Sequence, residues 1–360
     1  MNIFDVIVIG AGQAGLAAGW HLRRAGHRFA ILEAGERASG AWRGYYDSLT
    51  LFSPARYSAL PGLPFPGEPN RYPKRDEVAD YLESYAARFH LPIHYRKRVS
   101  DVQRQGAGFL LQCADGDRYR ARAVIVASGA FGTPYTPAVP GLERFRGKHL
   151  HSSEYRNPGE FADRRIVVVG GANSGVQIAH ELSGTANVSL ATRRPIRFFP
   201  QRILGLDFHF WLAATRLERT RWLDDQSTPV LDDGIYRKAI AAGKPDRRPM
   251  FREVHEDGVT WADGVREKVD VLLFATGFRP HAPYLAGLEA IAPDGSPRQR
   301  NGIADQVAGL YFVGLPKQRN FASATLRGVG PDAAYVMRHL ARHLQAAPRL
   351  RVSGLQAEAE

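Results

Sequence analysis

One cysteine in 360 residues, Cys113, excludes an internal disulfide and the paired thiols through which dithiol flavoenzymes pass electrons onward. No stretch approaches the ~20 consecutive apolar residues that span a bilayer. No leader precedes the first strand-like segment, so the expected compartment is the cytoplasm, without a membrane anchor. The 48 Lys and Arg residues give a formal charge of +12, yet they are scattered through both halves. No zinc spacing, helix-turn-helix pattern or RNA-binding aromatic signature accompanies them, so no nucleic-acid partner is expected. His149 and His151 stand two apart with no further His or Cys cluster beside them, and no metal site is expected.

What is present is a repeated glycine pattern in a chain long enough for roughly two domains and 44% hydrophobic. Phe4 to Ile9 reads FDVIVI, an apolar run suited to a buried parallel strand, and GAGQAG follows at once. Gly10 permits the tight turn, Gly12 lets backbone approach a pyrophosphate, and Gly15 allows close packing of helix on strand; Gln13 and Ala14 open the helix between them. The helix is expected to stop near Gly26, and Phe29 to Leu32 to form the second strand. Glu33 ends it, 18 residues past Gly15, where a carboxylate accepts from ribose hydroxyls and repels a 2'-phosphate. This copy suits FAD or NAD.

The second copy follows the strand Arg165 to Val169 and reads Gly170-Gly171-Ala172-Asn173-Ser174-Gly175. Ala172 replaces the middle glycine, which makes the motif weaker. Its second strand, Val188 to Ala191, ends in Thr192, Arg193 and Arg194, and guanidinium groups there suit a 2'-phosphate. NADPH is expected at this copy, with NADH left open and a solvated basic turn as the alternative reading of the arginines.

Two strand-to-glycine turns pair with these loops: Arg122 to Val126 leads into Ala127-Ser128-Gly129, and Val269 to Phe274 into Ala275-Thr276-Gly277. They mark crossings between two Rossmann-like α/β domains, one inserted in the other. The FAD domain is assigned residues 1–158 and 276–350, the NADPH domain 159–275, and 351–360 a disordered tail. A returning strand at Leu310 to Val313 ends at Gly314, and Ala322 to Thr325, including Ala324, is expected to open the last helix with its N-terminus under the flavin. Ala213 to Trp222 is expected to form a helix over the mouth between domains, or alternatively a membrane-surface helix.

Over nearly its whole length the chain resembles the class B flavoprotein monooxygenases. The resemblance is carried by GAGQAG, Glu33, Gly40 and Trp42 of GAW, ASG with Gly129, GGANSG, ATG with Thr276 and Gly277, and above all the segment 145–156. There Phe145, Gly147, His151, Tyr155 and Arg156 match the flavin-containing monooxygenase signature. Baeyer-Villiger relatives carry Trp where this chain has Tyr155, which tilts the reading from ketones toward heteroatoms. Residues 42–61 are similar to a compact bacterial branch, and Pro229 to Asp232 to plant indole-pyruvate monooxygenases.

The resemblance implies that NADPH reduces FAD and that O2 forms a C4a-(hydro)peroxyflavin, which oxygenates a small sulfide or amine. No side chain is assigned a catalytic role, since the chemistry lies with the cofactor. An Asn that often supports this intermediate in relatives is replaced near the flavin by Phe52 and Ser53, a departure that favours leakage to peroxide. Two alternatives stand beside oxygenation: a flavin reductase or oxidase passing electrons to O2 or a quinone, and a non-catalytic redox-sensing flavoprotein. Substrate identity is not encoded in any motif, and a homodimer is left open.

Overall fold

The computed structural model describes residues 2–220 and 229–346. Among these, nine strands form the first sheet. Its parallel centre runs β23 (Leu310–Phe312), β6 (Arg118–Val126), β1 (Asn2–Ile9), β2 (Phe29–Leu32) and β3 (Ile93–His94). Antiparallel β22 (Ile303–Ala304) and β21 (Gln299–Arg300) extend one edge, and the hairpin β4 (Val99–Gln105) with β5 (Gly108–Cys113) attaches to β6.

Strand periodicity divides the core. Val6 and Val8 of β1 face α1 (Gln13–Arg24), α2 (Arg75–Arg88) and α6 (Leu326–Ala346), whereas Ile7 and Ile9 join the opposite layer with Phe109 and Leu111 of β5. Burial on both faces is why the strand reads as a continuous apolar run.

The second sheet is wholly parallel, in the order β15 (Asp246–Pro249), β10 (Asn187–Thr192), β9 (Arg165–Val169), β19 (Val271–Phe274) and β8 (Lys148–His151). One face of β9 packs Ile166 and Val168 toward α3 (Asn173–Leu182), with α5 (Ile235–Ala241) beside it. Val167 and Val169 face a three-stranded layer of β16 (Glu253–His255), β17 (Gly258–Thr260) and β18 (Arg266–Lys268), where Trp261 is fully buried.

Two differences from the sequence reading have clear causes. The segment Lys148–His151, assigned to the first domain by the boundary at 158, pairs with Val271–Phe274 and so belongs to the second sheet. The chain therefore crosses earlier, where β7 (Thr133–Pro134) pairs with β20 (Phe278–Arg279) of the returning crossover. The helix expected over 213–222 is instead α4 (Phe208–Thr215), capped by the Asp207 carboxylate accepting from the His209 amide. It ends because Arg216 is left-handed at φ 58°, and only a short 3-10 turn, Leu217–Arg219, follows. Residues 221–222 of that expectation, and the tail 351–360, lie outside the described residues.

Before α4, β11 (Phe198–Pro200) pairs with β14 (Val230–Asp232), and β12 (Arg202–Ile203) with β13 (Leu206–Asp207). This excursion leaves the second sheet and packs on residues 52–72 of the first unit.

Candidate functional site

The first glycine loop is shaped by contacts that admit no side chain. Gly10 has φ +101°, and a Cβ there would lie 2.7 Å from the Ala127 carbonyl oxygen. A Cβ on Gly15 would lie 1.8 Å from the Gly10 carbonyl oxygen, so the first turn of α1 can pack on the loop only with glycine at that position. Gly12 differs: its nearest protein neighbour would be the Gly40 Cα at 3.5 Å, an ordinary contact. Nothing among the described residues forbids a side chain at 12, which leaves the loop's outer surface open to a ligand.

The other residues named for this unit gather around that loop. The Glu33 carboxylate accepts from the Ala11 amide at 2.6 Å and the Gly35 amide at 2.7 Å, which fixes it beside the turn. Gln13 donates to the Ala324 carbonyl at 2.7 Å and accepts from the Trp42 indole at 3.2 Å, tying the start of α1 to the turn before α6. Ala322 to Thr325 form that turn, the Thr325 hydroxyl donating to Ala322, and α6 proper begins at Leu326. Gly314 packs on Ala14, where a Cβ would approach to 2.6 Å, and Gly129 at the end of β6 is left-handed and open.

The second unit repeats the constraint. A Cβ on Gly170 would lie 2.3 Å from the Ala275 carbonyl oxygen, and one on Gly175 would lie 2.3 Å from that of Gly170. Ala172 occupies the N-cap of α3, as Gly12 does for α1. The Asn173 Oδ1 is buried without a hydrogen-bond partner among the described residues. Thr192 is buried and Arg193 and Arg194 are exposed. Gly277 is left-handed and open like Gly129, whereas the Thr276 hydroxyl is spent on the Tyr135 carbonyl.

Between the units stands the segment after Gly40. Tyr46 is buried in the second unit's core, and its hydroxyl donates to Gln177 on α3. Burial pushes its phenol well above the usual range, so it stays protonated and able to donate. Arg75 grips the same segment, donating to the Tyr45 carbonyl at 2.6 Å and Asp47 at 2.7 Å. Asp47 accepts from Asn157 at 2.9 Å, and its amide donates to the Arg156 carbonyl at 2.8 Å.

The five signature residues serve this junction. Phe145 is buried in the second unit; a Cβ on Gly147 would meet its ring and, at 2.6 Å, the Asp270 carbonyl oxygen. His151 places Nε2 2.9 Å from the Gly277 carbonyl and Nδ1 2.9 Å from Ser153. Burial lowers its pKa from the usual 6.5, partly offset by the Gly277 bond. Tyr155 is fully buried and donates to Glu181 on α3 at 2.8 Å, and Arg156 donates to the Ser153 carbonyl at 2.8 Å. They tie the linker to α3 and to the turn at Gly277.

A match to the family of pyridine nucleotide-disulphide oxidoreductases covers residues 7–314. The chain is 35% identical to a flavin-containing monooxygenase from Stenotrophomonas maltophilia, with a TM-score of 0.85 over 95% of this chain and 99% of that one. It is 37% identical to an uncharacterized CzcO-like oxidoreductase from Geobacillus kaustophilus, covering 95% and 99%. It is 30% identical to the indole-3-pyruvate monooxygenase YUCCA4 of Oryza sativa, covering 96% and 89%. The chain belongs to this oxidoreductase family, among its flavin monooxygenases. As a member it is an FAD-dependent oxidoreductase using NADPH. The family's disulphide chemistry does not carry over: Cys113 is the only cysteine, buried in β5, with its thiol pushed up to about 11 by burial.

Phe52 and Ser53 take part in a partly buried network that no motif announced. The Ser53 and Ser58 hydroxyls lie 2.8 Å apart. Gln201 donates to the Phe52 carbonyl at 2.8 Å and to Asp207 at 2.7 Å, and Tyr72 donates to the same carboxylate at 2.6 Å. The His209 ring lies 2.8 Å from Asp207 through Nδ1 and roughly parallel to Tyr57. Burial disfavours the Asp207 anion, but bonds from His209, Tyr72 and Gln201 outweigh it and hold the pKa below the usual value. The only sequence signal was the aromatic run Phe208, Phe210 and Trp211, which says nothing about a carboxylate beside it.

Among the described residues, no helix is long and apolar enough to cross a membrane.

Proposed function

We propose that the protein transfers one oxygen atom of O2 to a soft nucleophile on a small molecule, a sulfide sulfur or an amine nitrogen, at the expense of NADPH. FAD, when bound, accepts hydride and activates O2. The residues present fit that cofactor: Gly12 is open where a pyrophosphate would lie, Glu33 is held beside it, and α1, whose first-turn amides have no intrahelical acceptor, begins at the residue after Gly12. They fit NADPH at the second loop, where Asn173 Oδ1 awaits a donor and Thr192, Arg193 and Arg194 end the strand.

The observation that carries the reading is the junction. Tyr46 from the first unit seats on Gln177 of the second, and the signature residues brace the crossover at His151 and Gly277. An electron donor and acceptor on these loops are thereby held in one register. The Gln201–Asp207–Tyr72 network closes residues 52–72 against the excursion, which supports exclusion of water from the reacting region. Tyr155, where ketone-oxidising relatives carry Trp, supports a heteroatom.

A second reading, an NADPH oxidase that releases peroxide, draws on Ser53, whose hydroxyl pairs with Ser58 and supplies no side-chain amide. The two are separated by supplying the FAD-loaded protein with NADPH, an alkyl aryl sulfide and oxygen-18 gas. Labelled sulfoxide accounting for most of the NADPH consumed is the expected result. Peroxide equal to the NADPH consumed, with no labelled product from sulfides or amines, would overturn oxygenation.

A further inference from the structure

We propose that Arg247, on the strand beside the second fingerprint, is a further cation that recognises the 2'-phosphate of NADPH, oriented for that task by Thr192. The inference rests on the NADPH assignment above and adds a residue that the end of β10 does not contain.

Three observations converge on it. Strand β15 lies parallel to β10, with Leu190 opposite Arg247 and Thr192 opposite Pro249, so both strands finish at the same edge of the sheet. Dinucleotides bind beyond the carboxyl ends of such strands. The Arg247 Nε donates to the Thr192 hydroxyl at 2.9 Å, so the guanidinium reaches along the strand toward that edge. Thr192 in turn touches the fingerprint itself: a Cβ on Gly171 would stand 3.3 Å from its Cγ2 methyl. The fork is thus anchored at one nitrogen beside the loop.

Its charge balance points the same way. Neighbouring Arg248 is neutralised by Glu267 at 3.1 Å and Asp263 at 3.4 Å, and Arg165 by Glu267 at 2.8 Å. Among the described residues no carboxylate lies within ion-pair distance of Arg247, although it is half-buried. A partly desolvated guanidinium with an anchored Nε and two unengaged terminal nitrogens suits a doubly charged oxyanion, which it can meet through two parallel hydrogen bonds. Arg193 and Arg194 are exposed and have no hydrogen-bond anchor among the described residues, so they supply field, whereas Arg247 supplies geometry.

The test is binding of adenosine 2',5'-bisphosphate and of 5'-AMP to the FAD-loaded protein by calorimetry, since the two probes differ only in the 2'-phosphate. Arg247→Gln should weaken the bisphosphate roughly ten-fold and 5'-AMP less than two-fold. Arg247→Lys should recover part of the loss, and Thr192→Val, which frees Nε, should produce a smaller selective loss. Flavin absorbance and the melting temperature establish that each variant is folded. Equal weakening of both probes makes Arg247 a structural residue and overturns the inference, as does no weakening of either. If the unaltered protein itself binds both probes equally, the NADPH assignment fails together with the inference. If it discriminates and Arg247→Gln still does, only the inference fails.

Discussion

The two glycine-loop units solve one steric problem identically and differ in everything a ligand would read. In both, the first glycine of the loop abuts an alanine carbonyl from a later strand end, Ala127 or Ala275, and the last glycine abuts the first. Those contacts are backbone against backbone, so no other residue type satisfies them. The middle position is Gly12 in one unit and Ala172 in the other, and the second strand ends in the anchored acid Glu33 or in Thr192 with arginines. What the comparison teaches is that the shared part of the pattern builds the strand-to-helix turn, whereas the unshared part sets the charge and the room that each loop presents to a ligand.

The sharpest way to break that comparison is to crowd the shared glycines. Gly15→Ala, with its Cβ 1.8 Å from a carbonyl oxygen, should cost about 3 kcal/mol or more in urea unfolding and empty the flavin site. Gly175→Ala, at 2.3 Å, should weaken NADPH binding while flavin absorbance survives. Equal loss of flavin in both variants would show that the units do not divide the cofactors.

A smaller effect probes the unshared position. Gly12→Ala meets only an ordinary 3.5 Å contact, so urea stability without cofactor should move by roughly 0.5 kcal/mol at most. Flavin affinity, measured by equilibrium dialysis, should nevertheless fall by about ten-fold as the methyl occupies the pyrophosphate's approach. Ala172→Gly in the other unit should leave flavin content unchanged and NADPH binding no weaker.

The network under Phe52 tests whether the excursion from the second unit shields the first. Asp207→Asn removes the ionic acceptor shared by Tyr72, Gln201 and His209, at a cost of about 1–3 kcal/mol. The fraction of NADPH appearing as peroxide should rise at unchanged flavin content. An unchanged fraction would make the network a structural tie alone.

The smallest effect expected is on pH. His151 is held neutral by burial, with its folded pKa below 6.5. Between those two values the unfolded chain binds more protons than the folded one, so stability falls as pH drops below 6.5 through that window. His151→Gln, which keeps a polar side chain facing Gly277, should flatten part of that decline in melts from pH 7.5 to 5, a range chosen to bracket roughly the usual imidazole pKa.

Much of this architecture was legible because it depends on short-range rules. Gly10 and Gly15 announce a turn that only glycine fills, FDVIVI announces a strand buried on both faces, and Glu33 lies one strand away from its loop. Placement of strand 148–151 was not legible, since KHLH carries no more sign of one sheet than of the other; its pairing with Val271–Phe274 is a contact across more than a hundred residues. The end of α4 was missed because a left-handed Arg216 has no compositional signal. Arg247 and Asp207 went unnoticed for a related reason. Each gains its meaning from a partner, Thr192 or Tyr72, that folding brings from far along the chain.

The division of labour between the units is tested most directly by anaerobic reduction of the bound flavin, comparing the unaltered protein with a variant carrying Arg193→Gln and Arg194→Gln. The account predicts that the NADPH concentration giving half-maximal reduction rises by roughly ten-fold or more, that the NADH value moves little, and that flavin content stays full. An equal rise for both nucleotides, or loss of flavin, would contradict it.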